Sequence, residues 1–396
     1  MLTGLDRLQH EPELLEHLHG RVGYLGHSAS VDRNLQHGAD ILHRLLGSRL
    51  TALFGPQHGF NTDAQDNMIE SPHQEHTVYG IPVFSLYSET REPTAEMLQH
   101  IDTLVIDLSD IGVRVYTYIW TMILAMKACH QHGVRVVILD RPNPLDGVTI
   151  EGNLLQPAFS SFVGLHPLPM RHGMTAGEVA RYASRYLDAG DEPVVIGCTG
   201  WNRRSGFTET GLPWVLPSPN LATLHTLSVY PGFVLMEGTV LSEGRGTVRP
   251  FELFGHPRLL AHTHVRAINQ ALQQGGCELF RLRPHTFVPT FEKWQGQNCH
   301  GYQVHVASSA GEPTSGSWKA AQIVLRELYH RMGTDFGWRP PPFEYENDAM
   351  PIDILNGTDT LRLWIERNGS TQELTEIENS GREEFLQQRS AILLYT

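Results

Sequence analysis

The sequence predicts an α/β protein, a doubly wound parallel sheet followed by a smaller α+β domain. Three observations lead there. Short apolar runs of strand length recur at 21–26, 50–54, 81–87, 103–107 and 134–139. Segments with helical spacing stand between several of them. The runs are apolar throughout rather than alternating, as in parallel strands covered on both faces.

The elements follow in order. Residues 21–26 (RVGYLG) form the first strand and end in Gly26-His27-Ser28. Residues 37–47 show helical spacing in Ile41, Leu42, Leu45 and Leu46, closed by Gly47. The second strand, 50–54, runs into Gly55-Pro56-Gln57-His58-Gly59-Phe60, and the third is 81–87. Thr94 stands at the cap of a helix reaching His100. The fourth strand, 103–107, continues into Leu108-Ser109-Asp110. Residues 118–132 read as a helix ended by Gly133, and 134–139 as a fifth strand ending in Asp140-Arg141-Pro142-Asn143-Pro144.

This is a Rossmann-like order. It carries no G-x-G-x-x-G after the first strand and no P-loop pattern, so NAD or ATP would rest on fold alone and no cofactor is expected. In an open parallel sheet the carboxyl ends of the strands share one edge. Gln57, His58, Tyr87, Asp107, Asp110, Asp140, Arg141 and Asn143 are therefore expected to face one crevice.

Thr175 and Glu178 form a capping box before a helix to about Leu187, and 194–198 is a further strand. A Pro-rich run, 212–220, leads on to Leu241-Ser242-Glu243-Gly244-Arg245-Gly246-Thr247-Val248-Arg249-Pro250-Phe251-Glu252. Two carboxylates, two arginines and bending glycines make this a loop in which Glu243 can pair with Arg245, or Arg249 with Glu252. From about 259 the pattern changes: a helix near 264–274, strand-like 287–291 and 302–306, a helix near 319–332, an aromatic and Pro-rich run at 336–345, and a polar helical tail near 371–390. The expected domains are 1–258, Rossmann-like, and 259–396, α+β.

The chain of 396 residues has a net charge of −13 with histidines neutral, which disfavours nucleic acid as a partner. Cys129, Cys198, Cys277 and Cys299 are scattered without a CxxC pair and read as buried free thiols. The 22 histidines invite a metal, but His73-Gln74-Glu75-His76 is not H-E-x-x-H, and no metal is expected. The N-terminal stretch has no apolar core of a leader and no run is long enough to span a membrane. The sequence reads as a soluble, cytoplasmic protein. Oligomeric state is left open.

Seven runs carry a resemblance: LFGPQHGF (53–60), DLSDIGVRVYTYIWTM (107–122), LDRPNPL (139–145), FVGLHPLPMRHGMTAGE (162–178), LPWVLPSPN (212–220), EGTVLSEGRGTVRPFELFG (237–255) and FVPTFEKWQGQNCHG (287–301). In these the chain resembles the exo-β-N-acetylmuramidase family, the NamZ-type glycoside hydrolases of peptidoglycan recycling. The resemblance implies release of N-acetylmuramic acid from the non-reducing end of peptidoglycan fragments. It also implies a Rossmann-like catalytic domain without nucleotide and a C-terminal auxiliary domain. The family's run after the second strand is G-P-E-H-G, with that Glu proposed as catalytic; here it is Gln57. An amide does not exchange protons near neutral pH as a carboxyl group does. Either Glu70 or Asp66 supplies the acid, or the chain is an inactive relative that binds muropeptides or amino sugars, or the Gln is an introduced substitution.

Glycosidic cleavage commonly uses two carboxyl groups. Candidates are Glu70, Asp66, Asp110, Asp140, Glu237, Glu243 and Glu252. The lactyl carboxylate of muramic acid asks for an arginine, from Arg114, Arg141, Arg171, Arg245 or Arg249. Tyr87, Tyr116, Tyr118 or Trp214 can wall the sugar face. His58, His172, Asn143 and Asn220 stand in polar runs and complete the candidate substrate contacts.

Overall fold

A computed structural model of the chain describes residues 1–65, 69–308 and 311–396. Helix α1 (Gly4–His10), held by a capping box between Thr3 and Asp6, precedes strand β1 (Val22–Leu25). Then come α2 (Gly38–Leu46), β2 (Leu50–Gly55), the short β3 (Gln74–Glu75), β4 (Pro82–Ser85), α3 (Ala95–Leu98), β5 (Thr103–Ile106), α4 (Tyr118–Gln131) and β6 (Arg135–Leu139). A ribbon of β7 (Glu151–Leu154) and β8 (Pro169–Arg171) leads through α5 (Ala176–Tyr186) to β9 (Val194–Ile196).

Among the described residues the central sheet has seven strands in the order β3-β4-β2-β1-β5-β6-β9. Its neighbours are parallel except β3 against β4. Strands β1 and β5 are buried at every residue, as apolar runs between two helical layers must be. Helix α2 turns Ile41, Leu42 and Leu46 to the sheet. Helix α4 buries Ile119, Trp120, Met122, Ile123 and Met126, so it lies inside the protein rather than on it. The chain order reverses at β1, whose neighbours β2 and β5 lead away in opposite directions. That opens a crevice at the carboxyl ends of the strands.

Helix α6 (Leu224–Phe233) precedes the second part: β10 (Leu253–His256), α7 (Ala261–Gln274), β11 (Phe280–Phe287), β12 (Cys299–Val306) and α8 (Ser317–Met332). The strands form an antiparallel sheet in the order β10-β12-β11. Short helices α9 (Pro351–Asn356), α10 (Thr360–Glu366), α11 (Thr371–Asn379) and α12 (Arg382–Ser390) close the chain. One apolar cluster runs from Ile106 and Trp120 to Trp318 and Trp364, so the two sheets share a core. Among the described residues no helix is long and apolar enough to cross a membrane.

The departures from expectation are local. Residues 288–291 are not in a strand; the strand is β11, 280–287, which the expected run meets only at Phe287. Its Arg281, Arg283 and Pro284 hid it, and they are tolerated because β11 is a sheet edge. Pro231 lies inside α6 and masked a helix that tertiary burial sustains. The polar tail is two helices, α11 and α12, broken at Gly381, whose φ is 71°.

Candidate active site

The loop after β2 turns sharply at His58 and Gly59, with φ of 72° and 82°. The turn sends Gln57 and His58 into a crevice of about 500 Å³. Gln57 is buried, and its Oε1 accepts a 2.6 Å hydrogen bond from the Thr117 hydroxyl just before α4. His58 shares Nδ1 with the Ala64 carbonyl at 2.7 Å, and burial pushes it down to about 4, so it is neutral at physiological pH. Tyr116, Tyr118, Asn220 and Tyr230 supply further walls.

The opposite wall comes from the loop around 237–252 and from 344. Arg245 Nη2 donates to Glu237 Oε1 at 2.6 Å, and Arg245 Nε lies 3.4 Å from Glu243. Lys293 Nζ bonds Glu243 at 2.8 Å and also donates to the carbonyls of Met236, Glu237 and Leu241. Burial alone would raise the Glu243 carboxyl, but Lys293 and Arg245 outweigh it and hold it below the usual range. This network fixes Arg245 against the crevice. Its remaining nitrogen, Nη1, is buried with no hydrogen-bond partner among the described residues. A buried cationic donor left without a partner is costly, so Nη1 is a ready anion contact.

Glu344 is only 2% exposed. Tyr87 donates to its Oε2 at 3.1 Å. Burial, and then the charge of Glu237, push its carboxyl up to about 7. Glu344 and Tyr345 both hold positive φ, 46° and 68°, a left-handed backbone that costs non-glycine residues of order 1–3 kcal/mol each. The crevice therefore sets a carboxyl raised to about 7 beside another, Glu237, that is paired with an arginine.

Of the residues proposed from sequence, Gln57, His58, Tyr116, Asn220, Glu237 and Arg245 line this crevice together. Tyr87 stands behind it, bonded to Glu344. Glu70 is not among the crevice's lining residues: its side chain is 52% exposed and, among the described residues, meets Arg91 at 3.9 Å and the Tyr345 hydroxyl at 3.4 Å. Asp66 lies outside the described residues. Glu243 sits beneath the wall as a partner of Lys293 and Arg245. Arg249 points outward to Glu252, at 2.6 Å.

Arg114 and Arg171 are corrected to internal ties, because their guanidinium groups are enclosed. Arg114 donates to the carbonyls of Asn153, Leu168, Leu355 and Asn356. Arg171 donates through Nη1 and Nη2 to Glu151, Asp146 and the carbonyls of Leu145 and Thr314. Asn143 braces the backbone at Met174 and Leu145. His172 is fully buried, accepts from Met174 N–H and lies 3.7 Å from Asp110. Burial pushes it down to about 3. Asp110 and Arg141 open onto a neighbouring pocket. Glu344 escaped the sequence reading altogether. Its signal was an acid between two aromatics, Phe343-Glu344-Tyr345, in a Pro-rich run. Among the described residues no three His, Cys, Asp or Glu side chains gather as a metal would need.

A crevice at the carboxyl edge of a parallel sheet that gathers two carboxyl groups and an arginine offers the groups glycosidic cleavage commonly uses, and the chain is a glycoside hydrolase. The comparisons specify which. The family descriptions "Exo-beta-N-acetylmuramidase NamZ, N-terminal" and "C-terminal" match residues 22–225 and 228–395. The chain belongs to the NamZ family. It is 38% identical over 395 residues to the peptidoglycan beta-N-acetylmuramidase NamZ of Bacillus subtilis, covering 99% of this chain and 91% of that protein. Two crystal structures of DUF1343 family proteins from Bacteroides fragilis superpose with TM-scores of 0.83 and 0.74. Each is 26% identical and is covered to 99%, across 100% of this chain.

Proposed function

We propose that the chain hydrolyses the bond that joins a terminal N-acetylmuramic acid to the rest of a peptidoglycan fragment. The observation that carries this is the carboxyl pair beside the unpartnered Arg245 Nη1. Glu344, protonated up to about pH 7, gives its proton to the leaving oxygen. Glu237, paired with Arg245, is the second carboxyl group, which activates water or meets the anomeric carbon. Arg245 Nη1 takes the lactyl carboxylate, a charge-assisted bond that a neutral sugar cannot make. The name of the Bacillus subtilis relative supports the same substrate.

Gln57 favours a second reading, a relative that binds muropeptides without turnover. In the first reading Gln57 is a positioning residue, its amide oriented by Thr117, and the acid comes from Glu344. The test is release of free N-acetylmuramic acid from a MurNAc–GlcNAc disaccharide by the chain as it stands, by Glu344→Gln and by Gln57→Glu. Turnover by the unaltered chain, lost in Glu344→Gln, supports the first reading. Turnover by Gln57→Glu alone supports the second.

A further inference from the structure

Arg91 is not among the residues that line the crevice, yet it touches both neighbours of the Glu344 carboxyl. It sits in the loop after β4, in the first part of the chain, whereas Glu344 and Tyr345 belong to the Pro-rich run of the second. Its guanidinium occupies the corner between two tyrosine rings that meet at 71°. The guanidinium carbon is 4.1 Å from the centre of the Tyr87 ring and 4.3 Å from that of Tyr345. Arg91 Nη1 donates to the carbonyls of Ser88, at 2.6 Å, and Thr90, at 3.2 Å, which ties the cation to its own loop.

Each ring holds one side of the carboxyl. Tyr87 donates to Glu344 Oε2 at 3.1 Å. Tyr345 is the next residue in the chain and shares its left-handed backbone. Tyr345 is 50% exposed, and its ring contacts among the described residues are Tyr87 and Arg91. The acid that pairs with Arg91 there is Glu70, exposed and 3.9 Å away, and such a surface pair contributes little. The rings are therefore the main partners of this cation, and a planar, weakly hydrated guanidinium suits two aromatic faces.

We propose that Arg91 is a positioning residue, which fixes the Glu344 carboxyl in the crevice by gripping Tyr87 and Tyr345 together. The titratable and charged groups that face this carboxyl are Tyr87, Arg91, Tyr230, Glu237, Arg245 and Tyr345. Burial and then Glu237 push it up, while the Tyr87 hydrogen bond and the charges of Arg91 and Arg245 work against them. The part Arg91 plays in cleavage rests on the reading of Glu344 as the acid; its hold on the carboxyl does not.

The test follows the Glu344 carboxyl by 13C NMR in whole protein labelled at the glutamate carboxyls, the signal being assigned by its loss in Glu344→Gln, alongside disaccharide kinetics. Arg91→Met removes the charge and the grip. The titration midpoint of Glu344 and the alkaline limb of kcat/KM should both move up by about half a pH unit. In the same variant kcat should fall about tenfold with KM changed less than about twofold. Arg91→Lys keeps a charge, but its compact, strongly hydrated ammonium is a poor partner for two rings; kcat should fall about fivefold with the midpoint unmoved. Tyr345→Leu removes one side of the grip and decides the matter if the Arg91 variants do not fold: a lowered kcat supports the proposal and an unchanged kcat overturns it. A midpoint unmoved in Arg91→Met overturns it, even where activity is lost, since general loosening of the fold would give that result. Glu344→Gln inactive with both Arg91 variants like the unaltered chain fells the positioning role alone. Full activity in Glu344→Gln fells the acid and, with it, the part of Arg91 in cleavage. Absent turnover in the unaltered chain with a raised midpoint in Arg91→Met fells the hydrolytic reading and leaves the hold on the carboxyl standing.

Discussion

Replacing Glu344 by Gln separates chemistry from stability and does so with opposite signs. The carboxyl rises from 4.5 to about 7 on folding, because burial and Glu237 both disfavour its charge. A raised acid contributes stability that is fully present below pH 4.5 and lost as pH climbs through about 7. At roughly 1.4 kcal/mol per pH unit, the loss reaches about 3 kcal/mol at pH 8. Gln keeps the hydrogen bond from Tyr87 and carries no charge, so it avoids that loss. With roughly 2.1 cal/mol/K per residue of unfolding entropy, about 3 kcal/mol is a Tm difference of roughly 3–4 °C in a chain of this length. Glu344→Gln should therefore melt with the unaltered protein at pH 4.5 and above it at pH 8. Its kcat/KM on the disaccharide should fall about 10²–10⁴-fold, with a much smaller loss on an aryl glycoside whose leaving group needs no proton. In the unaltered protein kcat/KM should decline about tenfold per unit above pH 7. Scanning calorimetry at the two pH values and steady-state kinetics on the two substrates decide it. Equal melting at pH 8 with full activity would refute the assignment of Glu344 as the acid.

Arg245→Lys keeps a charge but loses the fork that spans Glu237 and the crevice. KM for muramic substrates should rise about 10–100-fold while chitobiose, which has no lactyl group, is little affected. Arg114→Met strips four buried carbonyls of their donor and should cost about 3 kcal/mol or more in a urea titration. In that variant kcat/KM per folded molecule should be unchanged, since Arg114 faces no ligand. Lys293→Met leaves Glu243 buried without its nearest cation and frees the loop at 236–241. It should lower Tm and kcat together, read by calorimetry and disaccharide kinetics.

The parallel sheet was legible because continuous apolar runs alternating with helices have few other solutions. Strand polarity brought Gln57 and His58 to the crevice, whereas Asp110 and Arg141 open onto the neighbouring pocket and Asp107, Asp140 and Asn143 are taken up by internal hydrogen bonds. The arginines were not separable by sequence. Arg114, Arg171 and Arg245 all stand in polar runs, and only the fold decides which guanidinium is closed over by carbonyls. Of the three, Arg245 is the one that lines the crevice. Glu70 was attractive by nearness in sequence to Gln57, yet nearness along a loop does not fix direction, and it faces solvent. Glu344 was invisible for the opposite reason: it is almost 290 residues from Gln57 in the chain, and nothing local announces such an approach.

Strain at Glu344 and Tyr345 also bears on the order in which the protein is made. The strands and the loop with Gln57 leave the ribosome early, and Glu237 and Arg245 follow. Glu344, the proton donor under the proposed mechanism, comes later still, on a left-handed turn. Because it is also part of the crevice wall, the crevice is completed and armed in one step, when residues far apart in the chain pack together.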